Sequence, residues 1–185
     1  LDLVLDKGEF TVLSGPSGSG KTTALNLIGL LDRPSEGSVF VHGQQTETLG
    51  DAARTRLRAE AIGFIFQSFN LVPVLSALEN VELALTLAGE RPEGGVRGAA
   101  SDMLAAVGLG DLLHRRPTQL SGGQQQRVAV ARALVKKPDL VIADEPTANL
   151  DTHSGDTVLD VMRDLNERLG VTFLFSTHDP RVMER

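Results

Sequence analysis

The stretch Gly15-Pro16-Ser17-Gly18-Ser19-Gly20-Lys21-Thr22 constrains this chain more than any other. It satisfies G-x-x-x-x-G-K-[ST] at every fixed position. The apolar run Phe10-Thr11-Val12-Leu13 precedes it and the helical pattern Thr23-Ala24-Leu25-Asn26-Leu27-Ile28 follows. A strand that passes into a helix through such a loop turns successive backbone N–H groups inward as a nest, with the helix dipole behind them. Glycine lets that backbone approach an anion with no Cβ in the way. Lys21 can reach terminal phosphates as a point charge, and Thr22 offers a hydroxyl to Mg²⁺. The loop is expected to bind a nucleoside triphosphate.

The rest of the chain alternates strand and helix patterns, which implies a largely parallel sheet with ligands at the carboxyl ends of its strands. Residues 1–14 read as a hairpin leading into the phosphate loop, giving an N-terminal antiparallel β part. Helices are expected over residues 21–31, 48–60, 124–136 and 152–169. Strands are expected over 38–42, 62–66, 140–143 and 171–175. Between them the texture changes. Residues 76–88 place Leu78, Val81 and Leu85 at helical spacing, 89–98 read as a mobile glycine-rich loop, and 99–107 and 109–113 as further helices. The expectation is one α/β domain over 1–185, with a core subdomain of 1–70 and 121–185 and an inserted helical subdomain of 71–120. Both ends look cut: the first residues open inside a strand pattern and the last ones stop within a helical turn.

Three strand ends carry chemistry. Asp144-Glu145-Pro146 closes the apolar run at 140–143, an acid at the position where a strand hands Mg²⁺ a ligand, with Glu145 able to orient or deprotonate an attacking water. Gln67 ends the strand Phe64-Ile65-Phe66, and His178 follows Ser176-Thr177. Leu120-Ser121-Gly122-Gly123-Gln124 opens a helix with a serine N-cap, a second anion-binding helix start in a chain with one phosphate loop. By itself it supports no more than an ordinary capped helix. It makes sense as a ligand site if two copies of the chain face each other across the nucleotide.

Composition narrows the remaining classes. A formal net charge of −6 argues against a nucleic-acid binder, which needs a clustered basic face. No cysteine is present, so disulfides and thiolate chemistry are excluded. No apolar run approaches the roughly 20 residues needed to span a bilayer.

These motifs occur in the order found in the nucleotide-binding domains of ATP-binding cassette (ABC) transporters, and the whole chain resembles that family, a P-loop NTPase fold. Within it, Phe66-Gln67-Ser68-Phe69-Asn70-Leu71-Val72-Pro73, Ala77-Leu78-Glu79-Asn80-Val81 and Ala143-Asp144-Glu145-Pro146-Thr147-Ala148-Asn149-Leu150-Asp151 are similar to the lipoprotein-releasing and macrolide-exporter branch of bacterial ATPases, with the cell-division ATPase close by. Ala148 stands where that branch often has glycine. The resemblance implies that Gly15, Pro16, Ser17, Gly18, Ser19, Gly20, Lys21, Thr22 and Thr23 hold the phosphates of ATP, and that Thr22, Gln67 and Asp144 surround Mg²⁺. It makes Glu145 the base and has His178 stabilise the γ-phosphate and the water. Ser121, Gly122, Gly123 and Gln124 would bind the ATP held by the other subunit, with Asp151 at the dimer seam. It further implies an ATP-induced homodimer on a membrane permease, peripheral to the cytoplasmic face of the inner membrane. Residues 68–90 would receive a coupling helix of that permease. The rival readings are a non-transport ABC ATPase of DNA repair or translation, which would need coiled-coil insertions or a second cassette, and a P-loop kinase or GTPase, which leaves the signature helix and His178 without a task.

Overall fold

The structure is a computed structural model that describes residues 1–16 and 18–177. Ser17, His178 and the helical turn expected after Val182 lie outside the described residues.

Among the described residues, four parallel strands form the central sheet in the order β1-β6-β5-β4: β1 Phe10–Ser14, β6 Thr172–Thr177, β5 Leu140–Asp144 and β4 Ile62–Phe66. The register aligns Ser14 with Thr177, Asp144 with Ser176, and Phe66 with Asp144, so all four carboxyl ends finish level. β6 is buried along its whole length, and its centre Phe173-Leu174-Phe175 is the apolar run that a strand covered on both faces requires. The expected strands at 62–66 and 140–143 stand where the apolar runs placed them.

Of the N-terminal expectation, the antiparallel β part is present but its placement over residues 1–14 needs correction. Residues 1–6 form no strand, and Leu1 and Val4 are largely exposed. The turn at Asp6–Glu9 brings the Gly8 N–H to the Thr172 hydroxyl at 2.9 Å, while Asn166 donates to the Gly8 carbonyl at 3.0 Å. β1 is therefore delivered to β6 as a parallel partner, and the preceding segment has no ladder to join. The antiparallel part of the fold lies later, where β2 Phe40–Val41 pairs with β3 Gln44–Gln45. His42 (φ 53°) and Gly43 (φ 74°) make the two-residue turn between them, whose double positive φ suits a tight hairpin. The expected strand at 38–42 is thus only the first arm of a hairpin.

Helices α1 Lys21–Ile28, α2 Asp51–Ala61, α3 Ala77–Ala88, α4 Gly95–Ala106, α5 Gly122–Leu134 and α6 Thr152–Leu169 complete the described elements. α3 shows why local sequence suffices in places. Ser76 and Glu79 form a reciprocal capping box at its start, Gly89 closes it at φ 73°, and Leu78, Val81 and Leu85 are buried. Each of those side chains contributes about 1.5–3 kcal/mol through its burial. Buried Asn80 accepts from the Val72 N–H at 2.8 Å and donates to the Ser76 carbonyl at 2.9 Å, which fixes the turn leading into the helix.

α4 begins at Gly95, inside the segment expected to be a mobile loop. Val96 and Ala99 pack against the main apolar cluster, and this tertiary burial outweighs the low helix propensity of the flanking glycines. Residues 109–113 make a short 3₁₀ turn, Gly110–Leu112, rather than the expected helix. α1 is shorter than its expected span because Gly29 caps it and Leu30 turns to φ 57°. One apolar cluster runs from α3 and α4 through α5 to the sheet, joining Leu78, Leu104, Val130, Val141 and Phe173. α5 lies so close to β4 that a Cβ on Gly63 would stand 2.6 Å from the Ala133 carbonyl oxygen.

Just after α5, Lys136 turns back onto the end of α2, donating to the carbonyls of Arg58 (3.3 Å) and Ala59. Burial, with the neighbouring Arg58 charge adding to it, lowers its pKa to about 8. A lysine held below its ordinary 10.5 loses its proton in the folded state first, so between about pH 8 and 10.5 the unfolded chain binds more protons and stability rises with pH. Denaturant unfolding at pH 7.5 and 9.5 should show this rise in the wild type and a smaller one in Lys136→Met. Equal slopes in both proteins would remove Lys136 as its source.

Candidate functional site

The level strand ends open into a cleft of about 680 Å³. Gly18, Gly20, Lys21, Thr22 and Thr23 line it from the phosphate loop and first turn of α1, Gln67 from the end of β4, Glu145 and Ala148 from beyond β5, and Ser176 from β6. Four segments far apart in sequence thus meet because four parallel strands deliver their carboxyl ends to one edge.

The loop side is built for an anion. Gly20 is the N-cap of α1 at φ 91°, a conformation that strains other residues, and among the described residues no side chain caps the helix. There is also no acidic residue in the first turn, so its N–H groups and dipole face the cleft uncompensated. By contrast, α5 and α6 have their first-turn amides capped by Ser121 and Asp151. The Lys21 ammonium arches back over the loop, donating to the carbonyls of Gly15 at 2.7 Å and Pro16 at 3.1 Å. Ser19 closes the loop from within, its N–H donating to the Pro16 carbonyl at 3.2 Å.

Opposite stand the acids. The Thr22 hydroxyl donates to Asp144 Oδ2 at 3.3 Å, and Asp144 Oδ1 is buried with no hydrogen-bond partner among the described residues. A buried carboxylate oxygen beside a hydroxyl, with an amide oxygen at Gln67 on the same cleft, is an oxygen donor set that fits a small hard divalent cation. Glu145 adopts φ 48°, uncommon for a residue with a side chain. Its N–H donates to the Ser176 carbonyl at 2.9 Å, its carbonyl accepts from Ala148, and its carboxylate accepts from the Thr177 hydroxyl at 3.4 Å. Strained backbone held by surrounding hydrogen bonds is the condition under which catalytic side chains are commonly presented. Gln67 is tied to Asn149 twice: its amide donates to Asn149 Oδ1 at 3.2 Å, and its carbonyl accepts from Asn149 Nδ2 at 3.0 Å. That leaves the Gln67 side-chain oxygen as its acceptor end.

Ser121, Gly122, Gly123, Gln124 and Asp151 are not part of this lining; they form a second surface at the paired starts of α5 and α6. Ser121 accepts from the Gln124 N–H at 3.3 Å, Gln124 Oε1 accepts from the Ser121 N–H at 2.9 Å, and the Ser121 hydroxyl hydrogen stays available at an exposed position. A Cβ on Gly123 would come within 3.0 Å of Ser154, so the two helix starts touch. Asp151 accepts from the Ser154 N–H at 3.0 Å, and hydrogen bonds from Ser154, side chain first and backbone second, hold its carboxyl below the usual range.

Several contributors escaped the sequence reading: Asn149 on Gln67, Thr177 on Glu145, the buried Ser176, and Gln126, whose carboxamide donates to the Pro146 carbonyl at 2.6 Å. For Gln126 a signal existed, since it shares helical spacing with Ala129, Val130 and Ala133, the buried face of α5.

Comparison with known proteins agrees with this geometry. The family described as ABC transporter matches residues 1–148. The lipoprotein-releasing system ATP-binding protein LolD of Anaeromyxobacter dehalogenans is 55% identical over 185 residues, 100% of this chain and 77% of that protein. The macrolide export ATP-binding/permease protein MacB of Syntrophobacter fumaroxidans is 49% identical over 189 aligned positions, covering 100% of this chain and 26% of its own length. Among solved structures, the dimeric post-hydrolysis state of the ATP-binding cassette MJ0796 bound to ADP and Pi superposes with a TM-score of 0.86 at 45% identity, covering 97% of this chain and 79% of that one. On fold, site and sequence together, the chain belongs to the ABC transporter family, as one of its ATP-hydrolysing cassettes.

Proposed function

We propose that the chain is the ATP-hydrolysing subunit of a bacterial transporter of the lipoprotein-release and macrolide-export kind, peripheral to the cytoplasmic face of the inner membrane and docked on a permease. The observation that carries this reading is the convergence of Lys21 and the first turn of α1 with Glu145 and Gln67 on one cleft, where Thr22 reaches Asp144. Residues 15–23 bind the phosphates of ATP. Thr22, Gln67 and Asp144 would hold Mg²⁺, which when bound offsets charge on the phosphate oxygens. Glu145 orients the attacking water and accepts its proton; His178 assists at the γ-phosphate.

Ser121, Gly122, Gly123 and Gln124 complete the pocket of a second copy, and Asp151 lies at the seam between the two. ATP therefore binds the closed pair more tightly than the separated chains, and hydrolysis removes that difference; the cycle is driven by differential affinity. The MacB name, which joins ATP binding and permease in one protein, supports a permease partner here. Val74 and Leu87, 69% and 74% exposed on the segment 68–90, support that segment as the permease groove. Residues 71–120 serve as the helical subdomain that carries the groove, on a core of 1–70 and 121–185.

A pocket completed by a second chain has a kinetic signature. At saturating Mg-ATP, the hydrolysis rate per chain should climb as protein is concentrated from nanomolar to micromolar. A rate per chain that stays constant across that range would reject a shared site.

A further inference from the structure

β4 and β5 stop pairing at Phe66 and Asp144. Beyond that point one chain turns into Gln67 and the other into Glu145 and Pro146, and their carbonyls have no ladder left to join. Of these, the Phe66 carbonyl also accepts from the Phe69 N–H at 3.2 Å, while the buried Pro146 carbonyl needs a donor from elsewhere. It comes from α5. The Gln126 carboxamide, 0% exposed, donates from Nε2 to the Pro146 carbonyl at 2.6 Å and to the Phe66 carbonyl at 3.5 Å. Its oxygen is buried and has no hydrogen-bond partner among the described residues. A position needing only volume would hold an apolar side chain, as its face does at Ala129, Val130 and Ala133.

From this bridge we infer that Gln126 is a positioning residue for ATP hydrolysis, an inference that rests on the ATPase reading above. It touches no nucleotide. It fixes the separation of the two strand ends that carry Gln67 and Glu145, and it ties both to the helix that opens at Ser121. Arg132 extends the same grip: it donates to the carbonyl of Phe69 at 2.8 Å and to that of Asn70, two consecutive residues at positive φ. α5 thereby holds the Gln67 loop at both of its ends.

Two substitutions separate positioning from filling. Methionine at 126 keeps the volume and removes the donor. Glutamate sets a carboxylate against two carbonyl oxygens when ionised, and regains one O–H donor toward Pro146 when protonated. Steady-state hydrolysis, equilibrium ATP titration and thermal melting of Gln126→Met and Gln126→Glu provide the test. In Gln126→Met, kcat should fall tenfold or more with ATP affinity within threefold of wild type, since Lys21 and the first turn of α1 are untouched. In Gln126→Glu, the rate relative to wild type should rise at least threefold from pH 8 to pH 6 as the carboxyl takes up a proton. Three results would overturn the inference: a wild-type kcat in Gln126→Met, a fall of kcat and affinity together with the melting temperature, or a flat pH ratio in Gln126→Glu. Should Gln126→Met fail to fold, the pH ratio decides alone. A wild-type chain that hydrolyses no ATP overturns the ATPase reading, whereas wild-type turnover matched by Gln126→Met overturns this inference only.

Discussion

Lys21→Met is expected to lose ATP binding by about 10²–10⁴-fold. The ammonium is the cation of the loop side of the cleft, and a charge-assisted hydrogen bond contributes about 1.5–3 kcal/mol. Two such bonds to phosphate oxygens, at 1.4 kcal/mol per factor of ten, give that range. Lys21 also spans the loop by holding the carbonyls of Gly15 and Pro16, so its loss frees the segment that must present its N–H groups. Methionine keeps the side-chain length, and the buried cluster around Leu25 and Ile142 is built from other side chains, so the fold should stay intact. Titration with a fluorescent ATP analogue, with circular dichroism as the folding control, measures the effect. An affinity within threefold of wild type would take Lys21 out of phosphate binding.

The second large effect is expected at Glu145. Glu145→Gln removes the proton acceptor while preserving shape and the hydrogen bonds of the backbone turn, where the N–H reaches the Ser176 carbonyl and the carbonyl is held by Ala148. General-base catalysis typically supplies 10²–10⁴-fold, so kcat should drop by at least about 100-fold while ATP affinity is retained or increased. The split matters. A variant that lost binding and turnover together would place Glu145 in the structure of the pocket rather than in its chemistry, and one that hydrolysed ATP within a few-fold of wild type would remove it from the base role.

Much of this was legible in the sequence where function and local pattern coincide. The strands Ile62–Phe66 and Leu140–Asp144 are short apolar runs stopped by a polar side chain, and that same stop is a residue of the proposed site. α6 could be read end to end because its buried residues Val158, Leu159, Met162 and Leu165 keep one stripe and Gly170 ends it at φ 64°. Other parts were decided by partners distant in the chain. Residues 1–5 alternate like a strand, yet the contact of Gly8 with Thr172, 164 residues away, assigns β1 to β6 and leaves them unpaired. α4 starts among glycines because Val96 finds the core. The braces of the site, Asn149 on Gln67 and Thr177 on Glu145, are hydrogen bonds between segments that only the sheet order brings together. A glutamine in the run Gln124-Gln125-Gln126 carries no local mark of being wholly buried; only its place on the apolar stripe of α5 sets it apart.

We propose a pocket that one chain cannot complete, since Ser121 and Gly123, at the start of α5, do not line the cleft at Lys21. Sedimentation velocity of Glu145→Gln tests this most directly, run without nucleotide, with Mg-ADP and with Mg-ATP. The account predicts a monomer in the first two conditions and a stable dimer in the third, abolished when Ser121 is also replaced by arginine. A monomer in all three conditions, from a chain whose wild-type form still hydrolyses ATP at the same concentration, would contradict it.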